Sequence, residues 1–60
     1  MTGKEMREAR KVLAITMEEL ADQTGYGMSS VWKMENERRK VSLRMEILLQ
    51  TLLRRRAEEK

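Results

Sequence analysis

Sixty residues allow one domain, 1–60, with one small core, and a core in a chain below about 70–80 residues rarely supplies more than ~3–5 kcal/mol, so oligomerisation is expected to help hold the fold. The lack of cysteine and histidine excludes a disulfide framework, a thiolate zinc site and an imidazole base. A formal charge of +3, from 13 basic against 10 acidic side chains, is only mildly basic, and no apolar run approaches the roughly 18–20 residues of a membrane span.

The chain opens on a polar Met1–Glu5 with no signal-peptide apolar region, which predicts a cytoplasmic protein. A first helix is predicted from about Gly3 to Leu13, with Met6, Ala9 and Leu13 facing the core at helical spacing. Thr16 and Glu19 make a capping-box pattern, and Ile15 and Leu20 flank it as a hydrophobic staple. A second helix therefore starts near Met17, with Glu18 and Glu19 in the first turn, where the helix dipole favours negative charge. It runs to about Thr24, burying Leu20 and Ala21; the small Ala21 suits a close helix–helix approach.

Gly25 ends that helix, because a residue without Cβ takes the left-handed conformation that follows one. Gly27 is the expected N-cap of a third helix, about Met28 to Asn36, which buries Val31 and Met34. Two short helices across a tight glycine turn, residues 16–36, describe a helix-turn-helix, whose second helix commonly enters the DNA major groove. Glu37 to Val41 is a charged loop, and Ser42 is the expected N-cap of a fourth helix over about 42–57.

On that helix Met45, Leu48, Leu49 and Leu52 share one stripe at about 100° per residue, while Leu43 and Ile47 point nearly the opposite way and Leu53 lies to one side. A helix apolar beyond one stripe is buried on more than one side. No strand pattern persists, so the fold class is all-α: a compact four-helix domain with a long C-terminal helix. Basic residues gather at Lys4, Arg7, Arg10 and Lys11, at Arg38-Arg39-Lys40 and at Arg54-Arg55-Arg56. Each cluster alone reads equally as a solvated face or as the footprint of phosphate binding.

Arg7-Glu8-Ala9-Arg10-Lys11, Thr16 to Gly25, then Val31, Met34 and Glu35, then Arg38 to Leu43 stand in one ungapped register. In this the chain resembles the Cro/repressor family of helix-turn-helix domains, the xenobiotic-response-element type, over roughly Gly3 to Leu53. The resemblance implies double-stranded DNA as partner and a structural, partly buried ion pair between Arg10 and Glu35. It places Met28, Ser29 and Lys33 at base edges, behind the turn residue Gly27. Lys33 suits guanine O6 and N7, Ser29 either kind of base pair, and Met28 a thymine methyl. Trp32 would lie against sugar and phosphate with its indole N–H as donor, or else fold back into a core short of aromatics. Asn36, Arg38, Arg39 and Lys40 would contact phosphates.

Met17 departs from the family, which usually has a phosphate-binding glutamine there. Met17 and Met28 would instead brace one another through flexible thioethers. With Trp32 they would form an exposed apolar patch of the kind that marks a protein interface. Family members usually add a fifth helix, for which no residues follow, so Leu43, Ile47 and Leu53 are expected to meet a second copy in a homodimer.

The expected function is a sequence-specific transcriptional regulator, a small phage or mobile-element type of repressor. The rival reading is a protein-interaction module on the same scaffold, such as an antitoxin or anti-regulator, docking through Met17, Met28 and Trp32. No catalytic residues, metal ligands or cofactor site are expected, since no nucleophile stands beside a base and there is no glycine-rich phosphate loop. Glu18-Glu19 and Glu58-Glu59 read as solvated charge on helices.

Overall fold

A computed structural model of the protein describes residues 1–58; Glu59 of the Glu58-Glu59 pair lies outside the described residues. Four helices follow one another, α1 (Gly3–Leu13), α2 (Met17–Thr24), α3 (Met28–Glu35) and α4 (Leu43–Glu58), with no strand among the described residues. The domain is thus all-α with a long C-terminal helix. Its radius of gyration, 10.6 Å, is that of a compact chain, for which about 10 Å is expected at this length.

Local chemistry sets the boundaries. The Thr16 hydroxyl accepts from the Glu19 backbone N–H at 3.1 Å, and the Glu19 carboxylate accepts from the Thr16 N–H at 2.8 Å, closing the expected capping box. An equivalent box opens α1: the Thr2 hydroxyl accepts from Glu5 N–H at 3.1 Å and Glu5 accepts from Thr2 N–H at 2.7 Å. Gly25 ends α2 with φ 77°, the left-handed value its lack of Cβ makes cheap. The Ser42 hydroxyl accepts from Met45 N–H at 3.1 Å, which makes it the N-cap of α4. The same oxygen lies 2.7 Å from the Tyr26 hydroxyl, so the α2–α3 turn is tied to the start of α4.

At two helix ends a non-glycine residue reverses the chain. α3 stops at Glu35, one residue earlier than its pattern suggested, because Asn36 caps it and Glu37 turns left-handed at φ 57°. α1 ends at Leu13, as expected, and its C-cap Ala14 is also left-handed at φ 57°, a conformation that costs an L-residue about 1–2 kcal/mol.

The core is Met6, Ala9, Leu20, Ala21, Val31, Met34, Met45 and Leu49, with half-buried Leu13, Ile15, Met17, Leu52 and Leu53 packed against it. Leu48, expected in the α4 core stripe, is half-buried. Leu53, expected to one side of α4 and at a dimer interface, is half-buried and packs against this chain's own core. The reason is angular: it lies four residues after buried Leu49, only about 40° further round the helix.

α1 packs on α3 and α4, and α2 packs on α3. Gly3 is buried where α1 meets the end of α3; a Cβ built there would sit 2.5 Å from the Met34 carbonyl oxygen and 2.7 Å from that of Glu35. Only glycine permits this approach, which fixes how the end of α3 rests on α1.

Candidate nucleic-acid interface

Glu35 anchors α3. Its carboxylate is buried, with side-chain exposure of 2%, and accepts two bonds from Arg10, at 2.7 Å from Nε and 3.1 Å from Nη2. This two-pronged geometry is the strong form of a charge-assisted bond. Arg7 Nε lies 3.7 Å from the same carboxylate, and Arg10 Nη1 also donates to the Ile15 carbonyl at 3.1 Å. Hydrogen bonding to Glu35 raises the Arg10 pKa above its ordinary value, against the opposing effect of burial and with Coulombic help from the same carboxylate. The expected ion pair is therefore present, and it fixes α3 to α1 by a charged link.

The remaining face of α3 is open. Met28 and Trp32 are 46% and 44% exposed, and Ser29 and Lys33 beside them are exposed too. Trp32 does not fold back into the core. Gly27 adopts an extended conformation as the α3 N-cap and has no side chain to satisfy the first turn, whose Ser30 and Val31 N–H groups bond its carbonyl at 3.1 Å. Met17, expected in the exposed patch, is half-buried and packs against the core, so the exposed apolar pair on this side is Met28 and Trp32.

The basic loop folds back along α3. Backbone N–H groups of Arg38 and Arg39 bond the Lys33 carbonyl at 2.8 and 3.3 Å. The Arg38 guanidinium lies over the Trp32 ring, 5.9 Å from its centroid, and Arg39 Nη1 donates to the Ser30 hydroxyl at 3.3 Å. Lys40 is exposed at the end of the same loop. Asn36, expected to meet phosphate, has its side chain engaged within the chain: Nδ2 donates to the Trp32 carbonyl at 2.9 Å and Oδ1 accepts from Arg7 Nη2 at 3.5 Å. Arg38 and Arg39 thus lie against α3, whose exposed face carries Lys33, and Lys40 follows them in the loop. Two partners here, Tyr26 and Ser30, escaped sequence reasoning, because their contacts with Ser42 and Arg39 join residues far apart in sequence or in different elements.

On α4, Leu43 and Ile47 are 72% and 52% exposed and face away from buried Met45 and Leu49. Among the described residues no group of acidic, histidine or cysteine side chains could hold a metal ion, and no helix is long and apolar enough to cross a membrane. No protein-family model, curated protein or solved structure matches the chain.

Proposed function

We propose that this protein is a sequence-specific regulator of transcription that binds double-stranded DNA, with α3 in the major groove, as a repressor of the small phage or mobile-element type. The observation that carries the reading is the open face of α3. It presents Ser29 and Lys33 on a helix anchored through Glu35 to Arg10 and flanked by a loop whose Arg38 and Arg39 lie against the same helix, with Lys40 exposed beyond them. Side chains of the first kind suit base edges, and those of the second suit phosphates. The exposed Leu43 and Ile47 of α4 support a homodimer, and a two-fold pair of α3 helices fits half-sites about one helical turn apart.

The exposed pair Met28 and Trp32 favours a second reading, in which the same face docks a protein as an antitoxin or anti-regulator would. Titration of mixed-sequence duplex DNA at increasing salt separates the two. DNA binding through these cations is expected to weaken steeply, as counterions released from phosphates oppose association. Absence of binding at low salt, or an affinity indifferent to salt, would direct the search to a protein partner.

A further inference from the structure

Arg38 differs from the arginines of α1 in what holds it. Arg10 and Arg7 are both turned to the Glu35 carboxylate, whereas Arg38 meets no carboxylate among the described residues and lies instead over the Trp32 indole. The indole is itself mounted on a fixed backbone. The Trp32 carbonyl accepts from Asn36 N–H at 3.0 Å and from Asn36 Nδ2 at 2.9 Å, and Arg38 N–H closes onto Lys33 in the same turn. Trp32 is also half open to solvent and absent from the core, so packing does not account for its place.

A guanidinium lying over an aromatic face keeps its charge and leaves N–H groups free for phosphate oxygens. It also loses rotamer freedom before any ligand arrives, which lowers the entropy lost on binding. We infer that Trp32 is a positioning residue: it orders the Arg38 guanidinium for a phosphate of duplex DNA and acts on affinity through Arg38, not through contact of its own with the bases. The inference rests on the DNA-binding reading and adds to it the reason an otherwise solvated loop arginine is preformed.

The test is a double-mutant cycle on mixed-sequence duplex DNA, read as Kd at several salt concentrations, with helicity and melting temperature as folding controls. Arg38→Ala is expected to weaken binding and to reduce the slope of log Kd against log salt by about 0.9, the loss of one phosphate contact. Trp32→Leu is expected to weaken binding about two- to five-fold when Arg38 is present, the strength of an exposed cation–π contact, and to have no effect once Arg38 is alanine. Trp32→Phe, which keeps a ring, is expected to restore most of the loss.

Arg38→Lys leaves α3 untouched and keeps the charge without the planar group. It is expected to weaken binding by about the same two- to five-fold with the salt slope unchanged. Trp32 is the only tryptophan, so its emission in the free protein is expected to change on Arg38→Ala. Equal weakening by Trp32→Leu with and without Arg38, or no weakening at all, overturns the inference while leaving DNA binding intact. Failure of the wild type to bind duplex DNA at low salt overturns the functional reading and the inference with it.

Discussion

Arg10 grips Glu35 through two bonds, at 2.7 and 3.1 Å, and so joins α1 to the last residue of α3 by a pair whose acid side is almost fully buried. Breaking such a pair costs most when it strands the buried charge. Arg10→Ala is expected to destabilise the fold by about 3 kcal/mol or more, which is most of what a core of this size supplies. Arg7→Ala removes the longer 3.7 Å contact with Glu35 and the 3.5 Å bond to Asn36 from a half-exposed side chain and is expected to cost under ~1 kcal/mol. Urea unfolding followed by circular dichroism compares them, and equal losses would contradict this assignment.

Two substitutions at helix ends are expected to act against ordinary helix propensity. Gly3→Ala places a Cβ 2.5 Å from the Met34 carbonyl oxygen and should destabilise by roughly 1–3 kcal/mol as α1 and α3 are forced apart. Ala14→Gly relieves a left-handed alanine at φ 57° and should stabilise by roughly 0.5–1 kcal/mol. Thermal melting gives both signs, and a stabilising Gly3→Ala would mean that α1 does not approach α3 as described.

Acid sensitivity has a local source at the first helix. The Thr2 backbone N–H donates to the Glu5 carboxylate and, ahead of the opposing desolvation and the added help of the Thr2 side chain, holds its pKa below the ordinary 4.5. A carboxylate with a lowered folded pKa contributes stability above its unfolded pKa and loses it as pH falls through the folded value. Glu5→Gln keeps a capping acceptor without the titration, so its urea midpoint is expected to fall less than that of the wild type on acidification from about pH 5 to pH 2. An identical decline in both proteins would place the acid sensitivity elsewhere.

The outward face of α4 bears on assembly. Ile47→Asp puts a charge on the exposed Leu43–Ile47 face without touching the core. It is expected to turn a homodimer into monomers, to lower the melting temperature and to weaken duplex binding together. Sedimentation at tens of micromolar reads this directly; a monomeric wild type with a harmless Ile47→Asp would remove the dimer from the account.

The helix bounds were legible where the chemistry is local. Thr16 with Glu19, Gly25 and Ser42 each carry their cap in a few adjacent residues, and α2 begins and ends where those residues indicate. The box at Thr2 and Glu5 is written in the same code and was there to be read. Ala14 and Glu37 carry no such mark, since both turn left-handed and neither is glycine or asparagine. The Arg10–Glu35 pair came from family resemblance, and the geometry agrees with it. The closeness of Gly3 to α3, the Tyr26–Ser42 bond and the Arg7–Asn36 bond depend on how segments distant in sequence meet, which periodicity does not encode.

Whether α3 reads DNA sequence is decided by selection of binding sites from a pool of random duplexes, carried out with the wild type and with Lys33→Ala. The wild type is expected to enrich a palindrome whose half-sites are centred about one helical turn, or 10–10.5 base pairs, apart. Lys33→Ala is expected to lose preference at one position of each half-site, at a cost of roughly 1–3 kcal/mol, with the other positions kept. A pool that gains no common sequence with the wild type, under salt low enough for any duplex to bind, would contradict the claim that α3 reads DNA.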